Sequence, residues 1–131
     1  MLTGRCCCGA VRYEVTGEPR HSSCCHCSIC QRASAAPFVA WFTVAPAEFR
    51  LTSGELASFK SSEHATRSFC ARCGTPIIFQ STLYPDEIYI TTGSLDDPEQ
   101  VPPKAHTFLA SGLNWVKLAD GLPTYPDKHP E

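Results

Sequence analysis

Nine cysteines in three clusters constrain this chain of 131 residues more than any other feature. The clusters are Cys6-Cys7-Cys8, Cys24-Cys25-His26-Cys27-Ser28-Ile29-Cys30 and Cys70-Ala71-Arg72-Cys73. An odd number of thiols cannot all pair within one chain, and the first nine residues contain no apolar run typical of a signal peptide. Clustered thiols in such a sequence are more typical of metal ligands or redox groups than of a disulfide framework. The cysteines therefore predict a metalloprotein.

The third cluster has the clearest metal-binding pattern. A C-x-x-C turn brings two sulfurs to one side, and Gly74 after it permits the tight backbone that turns amides toward the thiolates. A closed structural zinc site needs four ligands, so two more must come from elsewhere. Cys6 and Cys8 are candidates because residues two apart on an extended segment point the same way. Spacing alone leaves this pairing open.

The central cluster offers three sulfurs within six residues, at Cys25, Cys27 and Cys30. Three protein ligands and an open fourth position are typical of catalytic zinc. An open zinc can bind a substrate thiol or polarise a carbonyl oxygen. His26 lies between two of the candidate ligands, and we expect it to point away from the metal in an extended chain.

The remaining pattern is mostly that of β-structure. Val11, Tyr13 and Val15 alternate with polar residues and predict a half-buried strand, whereas the apolar run 38–44 predicts a strand buried on both faces. Further strands are predicted at 49–52, 56–60, 66–69, 77–80 and 87–91, and a short helix at 28–34. Beyond Asp96, six of the eleven prolines indicate an irregular segment. We expect the following residues to anchor it: Phe108, Leu109, Leu113, Trp115 and Leu122.

Charge and hydropathy exclude some partners. The 11 basic and 13 acidic residues give a net charge of -2, and the basic residues form no run, which argues against nucleic-acid binding. No apolar stretch approaches the roughly 18 residues of a membrane span. We expect a soluble cytoplasmic protein of one domain, residues 1–131, that binds no nucleic acid and no membrane. The oligomeric state is left open.

Several segments together resemble one family, the glutathione-dependent formaldehyde-activating enzymes, which includes centromere protein V. The similar segments are 4–13 (GRCCCGAVRY), 25–30 (CHCSIC), 67–76 (RSFCARCGTP), 93–96 (GSLD), 106–115 and 121–123. The resemblance implies a mainly β, β-tent type fold of packed antiparallel sheets, stapled by zinc. One departure is Ser34-Ala35-Ala36, where the family often has glycine after the serine; substrate contact that needs this glycine is not expected here.

The resemblance also implies cofactors and an activity. It assigns a structural zinc to Cys6, Cys8, Cys70 and Cys73, and an exchangeable zinc beside the substrate to Cys25, Cys27 and Cys30. The implied activity is that of a carbon–sulfur lyase, which joins glutathione and formaldehyde as S-(hydroxymethyl)glutathione. The expected partner is therefore a small thiol or thiol adduct such as glutathione.

Such a reaction needs a group that moves a proton between sulfur and oxygen. Imidazole titrates near neutrality, so the candidates are His26, His64 and His106, of which we select His26 and His106 as catalytic. Arginines are suited to the carboxylates of a glutathione-like substrate, and Arg32 and Arg67 are the candidates. We expect three large aromatic residues to lie in the core rather than against substrate: Trp41, Phe42 and Trp115.

Three alternatives stay open from the sequence. Both zincs could be structural, in a binding module without catalysis. The central thiols could form a redox disulfide, Cys25 with Cys30 or Cys24 with Cys27. A reductase similar to the methionine sulfoxide reductases would need a nucleophilic cysteine outside the ligand sets, which leaves Cys7 or Cys24, although buried or half-exposed inert thiols are the simpler interpretation of both.

Overall fold

The computed structural model describes residues 1–129, and within them the chain forms ten strands and one α-helix. The strands and the helix are, in chain order, β1 Leu2–Arg5, β2 Arg12–Val15, β3 Arg20–Cys25, α1 Ser28–Ser34, β4 Val39–Val44, β5 Phe49–Ser53, β6 Leu56–Lys60, β7 Ala65–Cys70, β8 Pro76–Ser81, β9 Ile88–Thr91 and β10 His106–Thr107. Short 3-10 turns occur at 46–48, 92–94, 98–100 and 109–111. The prediction of a mainly β fold is confirmed. Among these described residues, no helix is long and apolar enough to cross a membrane.

The strands form two sheets that pack on a shared core. One sheet has the order β1-β2-β5, and the other has the order β10-β3-β4-β9-β8-β7-β6. All pairings are antiparallel except that of β10 with β3. Tyr13 and Val15 of the smaller sheet are buried in one cluster with Phe42, Val44 and Ile90 of the larger one. Burial of such side chains from water is the main stabilising term in a domain of this size.

The strands with a clear apolar pattern lie where the sequence predicts them. In β2 the inward residues are buried and Arg12 is exposed. Strand β4 lies between β3 and β9 in the larger sheet, and its residues 41–44 are buried on both faces. The helix spans 28–34, as predicted. Three strands have no such pattern and were missed: β1, β3 and β10. Their pairing partners, not their own side chains, stabilise them as strands.

The segment after Asp96 is irregular, as predicted, but two of its expected anchors are wrong. Trp115 is 69% exposed and Phe108 is also exposed, whereas Val101 and Ala105 are buried. Backbone pairing explains the difference, since residues 123–127 bond to the chain from His106 to Ala110 and hold the segment without large apolar side chains. The other expected anchors, Leu109, Leu113 and Leu122, are half-buried. Residues 130–131 of the predicted domain lie outside the described residues.

Candidate metal centres and the adjoining cavity

Four cysteines lie together in one cluster, two from the turn after β1 and two from the turn between β7 and β8. The Sγ atoms of Cys6, Cys8, Cys70 and Cys73 all lie within 4.8 Å of one another. The Sγ of Cys8 lies 3.5 Å from that of Cys6 and 3.9 Å from that of Cys70. The expected reason for the first pair is wrong in one respect, because β1 ends at Arg5 and the two thiols converge through a turn rather than along an extended segment. Four thiols so placed could hold a metal ion.

The C-x-x-C turn supports its sulfurs with backbone amides. Gly74 has φ +84°, and the amides of Arg72 and Cys73 point at the Sγ of Cys70, at 3.4 and 3.3 Å. The Thr75 hydroxyl lies 3.2 Å from the Sγ of Cys73, and this hydrogen bond lowers the pKa of Cys73 to about 5. Amides and hydroxyls aimed at sulfur favour the thiolate, which is the form that binds metal. The donor set therefore fits a metal such as zinc.

The first turn repeats this arrangement on the other side of the cluster. Gly9 has φ +80°, and the amide of Val11 donates to the Sγ of Cys6 at 3.2 Å. The Cys6 thiol is buried, which by itself raises its pKa, but this amide and the neighbouring thiols outweigh burial and lower it. The cluster therefore joins β1 of the smaller sheet to the β7–β8 hairpin of the larger one.

The second cluster comes from one short segment. Cys25 ends β3, Cys27 caps the N-terminus of α1 and Cys30 lies in its first turn, with the three Sγ atoms within 4.8 Å of one another. The amide of Cys30 donates to the Sγ of Cys27 at 3.2 Å. Hydrogen bonds from the thiols of Cys25 and Cys30 lower the pKa of Cys27 to about 2. The cluster contains three sulfurs and no histidine, so His26 is outside it, as expected.

These three cysteines lie on the wall of a cavity of about 400 Å³. Four aromatic side chains also line the cavity and form its aromatic wall: Trp41, Phe79, Tyr84 and Tyr89. Cavities of this size and apolar character are typical of small-molecule sites. Trp41 is buried, as expected, but it lines the cavity rather than only the core, and sequence reasoning missed the other three rings. Phe42 belongs to the core alone.

A single arginine connects the cluster to the aromatic wall. Arg67 is only 8% exposed and donates from Nη2 to the Sγ of Cys30 at 3.5 Å and from Nε to the Ser61 hydroxyl at 3.1 Å. Its guanidinium carbon lies 5.8 Å from the ring centroid of Trp41 and 5.0 Å from that of Phe79. Cation–π contacts and charged hydrogen bonds offset the cost of burying this cation. Arg32, the other candidate, is exposed and outside the cavity lining.

The two histidines selected as catalytic lie behind the cluster. The Nε2 of His26 is 2.9 Å from the Nδ1 of His106, and both rings are buried. The Nε2 of His106 is 2.7 Å from the Oδ2 of Asp120, and this hydrogen bond lowers the pKa of that carboxyl. Neither ring is among the residues that line the cavity. Asp120 had no sequence signal, since it is an isolated acid in an irregular segment.

Strand pairing explains why these rings face away from the cavity. β10 runs parallel to β3, with His106 beside Cys24 and Thr107 beside Cys25. Successive residues of a strand point to opposite faces, so Thr107 and Cys25 line the cavity while His106 does not. The third candidate, His64, is exposed, bonds to the Thr82 hydroxyl at 3.0 Å and is also outside the lining.

The two cysteines outside the clusters have different environments. Cys24 is 4% exposed, and burial, followed by the nearby Asp120 charge, raises its pKa to about 11. A thiol of this kind is a poor nucleophile. Cys7 is exposed and outside the lining of the cavity beside Cys25. All nine cysteines, which lie within residues 1–129, are free thiols in this structure.

The chain is similar in sequence to several known proteins. The family model for the glutathione-dependent formaldehyde-activating enzyme matches residues 1–111. An uncharacterized lyase of Schizosaccharomyces pombe is 33% identical over 79 residues, a match that spans 60% of this chain and 57% of that protein. A Halomonas elongata protein, provisionally named a glutathione-dependent formaldehyde-activating enzyme, is 27% identical over 127 residues, 90% of this chain and 81% of that one.

A solved structure shows the same fold. A Rhodobacter sphaeroides protein superposes with a TM-score of 0.58 at 23% identity, and the match covers 94% of this chain and 98% of that one.

Proposed function

The chain belongs to the glutathione-dependent formaldehyde-activating enzyme family, and we propose that it acts as a zinc-dependent carbon–sulfur lyase on a thiol adduct of an aldehyde. The natural example of such a substrate is S-(hydroxymethyl)glutathione. One observation carries the proposal: the cluster of three cysteines, one ligand short of a closed zinc site, opens onto a cavity large enough for a small thiol. The proposal includes a single domain over residues 1–131 and a cytoplasmic location, where reduced thiols persist.

The two clusters have different roles in this proposal. Cys6, Cys8, Cys70 and Cys73 hold a structural zinc, and Cys25, Cys27 and Cys30 hold an exchangeable one. Zinc bound to three thiolates supplies a position for the substrate sulfur and favours its thiolate form. The chain's own residues then decide how the rest of the substrate lies.

In the direction of adduct formation, the thiol sulfur bonds to the aldehyde carbon. The π electrons of the carbonyl move to its oxygen, and the proton lost by the thiol ends on that oxygen. Arg67 balances the negative charge of the sulfurs from its position against Cys30, and the rings of Trp41 and Phe79 exclude water from the reacting atoms.

His26 and His106 enter the proposal as positioning residues. Their mutual hydrogen bond joins the backbone between two cluster cysteines to β10 and, through Asp120, to the segment that follows. Such outer hydrogen bonds orient ligand-bearing segments. Neither ring lines the cavity, so the proposal does not use these rings for direct proton transfer. That role stays a prediction.

The test measures the loss of free formaldehyde with glutathione, above the spontaneous rate, using protein purified with reducing agent and analysed for zinc. We expect two zincs per chain and an accelerated rate in the wild type. Cys27→Ser should bind one zinc and lose at least about 100-fold of the acceleration, since a metal ligand is gone. Cys7→Ser, which changes a thiol outside both clusters, is the matched control and should behave as the wild type.

Two further outcomes discriminate between mechanisms. Two zincs without any acceleration would contradict the proposal and favour a binding module. In His106→Gln, a positioning role predicts a lower kcat with an unchanged pH profile, whereas direct proton transfer predicts the loss of one limb of that profile.

A further inference from the structure

The outer wall of the cavity is built by the last described residues of the chain, which lie beyond the residues 1–111 that match the family model. The amide of His106 donates to the carbonyl of Pro123 and that of Tyr125 to the carbonyl of His106, both at 2.9 Å. The amide of Phe108 donates to the carbonyl of Asp127 at 3.0 Å. This pairing along β10 brings the next two residues, 128 and 129, to the cavity.

The backbone is strained where it meets this wall. Three non-glycine residues among those described have positive φ, and two of them, His21 at +50° and Phe108 at +56°, line the cavity. His21 lies in an irregularity of the β3–β4 register, and such bulges redirect a side chain. Left-handed backbone is costly for residues other than glycine and is often found at functional sites.

Aromatic contacts join these pieces into one surface. The ring of His21 lies 5.9 Å from that of His129, and the ring of His129 lies 5.2 Å from that of Tyr125. We call His21, Lys128 and His129 the basic rim. The rim is thus held by β3, by the C-terminal segment and by the contacts between them.

The cavity lining holds basic side chains beside the cluster sulfurs, although the whole chain has a net charge of -2. Arg67 and the basic rim supply the cationic or protonatable groups, and Glu87 is the acidic residue of the lining. Arg67 is engaged by Cys30 and Ser61, and the Glu87 carboxylate accepts a hydrogen bond from Tyr89 at 2.9 Å. Within residues 1–129, Lys128 forms no ion pair, so its ammonium is available to a ligand.

We propose that the basic rim binds a carboxylate of the substrate while the substrate sulfur lies at the cluster of Cys25, Cys27 and Cys30. This inference rests on the proposed function and deepens it, because it assigns specificity for an anionic thiol to a segment outside the matched family region. Lys128 is the residue that distinguishes an anionic from a neutral thiol. Its attraction acts across a partly open cavity, so the expected contribution is moderate.

The test compares two small thiols that differ in one carboxylate, 3-mercaptopropionate and 2-mercaptoethanol. Their dissociation constants are measured by calorimetry on zinc-loaded wild type, Lys128→Glu and Lys117→Glu, the last being an exposed lysine outside the cavity lining. We expect Lys128→Glu to weaken 3-mercaptopropionate binding about tenfold, since attraction is replaced by repulsion. Binding of 2-mercaptoethanol should stay within about twofold, and Lys117→Glu should change neither constant. Thermal unfolding checks the fold, and Lys128→Gln, with an intermediate effect, serves if Lys128→Glu is unstable.

Two results would overturn the inference in distinguishable ways. The first is that the wild type binds both thiols while Lys128→Glu weakens the binding of both equally or of neither. In that case the basic rim does not recognise the carboxylate, and the proposed function stands. If the zinc-loaded wild type binds neither thiol, the proposed function fails and the inference fails with it.

Discussion

The two cysteine clusters have the same side-chain chemistry and differ in where their ligands come from. The four-cysteine cluster joins two turns separated by 62 residues between Cys8 and Cys70, one at the end of β1 and the other between β7 and β8. The three-cysteine cluster comes from six consecutive residues at the junction of β3 and α1. The first links two sheets, whereas the second lies on the wall of a cavity.

We expect this difference to separate stability from reactivity. Four thiols would complete a tetrahedron around zinc and join distant parts of the chain, so metal binding there would become folding free energy. Three thiols would leave one position of a bound zinc open, and the Arg67 guanidinium, which donates to Cys30, would balance the negative charge of the thiolates. We therefore expect ligand loss to unfold the protein in one cluster and to abolish activity in the other.

The largest expected effect tests this contrast with one type of substitution. Cys70→Ser should lose the structural metal and most of the stability, because a structural zinc contributes on the order of 10 kcal/mol. Cys27→Ser should lose one metal and stay folded, since serine is a good helix N-cap and can still accept from the Cys30 amide. Thermal unfolding and zinc per chain measure both. Equal loss of stability in the two variants, or unchanged zinc and folding in Cys70→Ser, would contradict the division of roles.

A smaller effect is expected from a change at Arg67, which contacts the three-cysteine cluster through Cys30. Arg67→Lys keeps the charge but cannot hold Cys30 and Ser61 together or stack between Trp41 and Phe79. We expect zinc affinity at the three-cysteine cluster to fall about tenfold, with the four-cysteine cluster unaffected. Chelator competition, with the Cys27→Ser protein reporting the other site alone, measures this. Arg72→Lys, beside the four-cysteine cluster, is the control, and equal changes at both clusters would refute a local role for Arg67.

The smallest effect concerns α1, which contains Cys30 and is capped by Cys27 of the three-cysteine cluster. Ala35 ends α1 with φ +50° and ψ +44°, the left-handed conformation that favours glycine. Ala35→Gly should raise the free energy of unfolding by about 0.5 kcal/mol, because relief of strain exceeds the added flexibility of the unfolded chain. Ala33→Gly, inside the same helix, should lower it by about 0.5–1 kcal/mol. Urea unfolding measures both, and a loss of stability in Ala35→Gly would show that no strain is stored there.

Much of the three-cysteine cluster could be predicted from local sequence. The spacing of Cys25, Cys27 and Cys30 places three sulfurs within reach of one ion, because the distances depend only on one strand end and one helical turn. Alanine resists the positive φ that a glycine after Ser34 would permit, yet the backbone of Ala35 is left-handed.

Local sequence predicted only two of the four ligands of the four-cysteine cluster. The turn at Cys70 and Cys73 follows from its own C-x-x-C spacing and Gly74. The choice of Cys6 and Cys8 as its partners needed the resemblance to a family, and the extended geometry proposed for them was wrong, because a turn and not a strand joins them. Contacts over such a separation depend on how the sheets pack.

The sequence by itself determined the thiol chemistry, the mainly β class and the local shape of the turns at residues 25–30 and 70–73. Only the tertiary structure decided that His26 and His106 face each other behind the cluster, that Arg67 rather than Arg32 reaches a cluster sulfur, and that the basic rim lies on the cavity. The physical reason is sheet topology: the parallel pairing of β10 with β3 joins residues 80 apart, and strand alternation then decides which face each side chain occupies. Spacing along the chain carries no information about such a pairing.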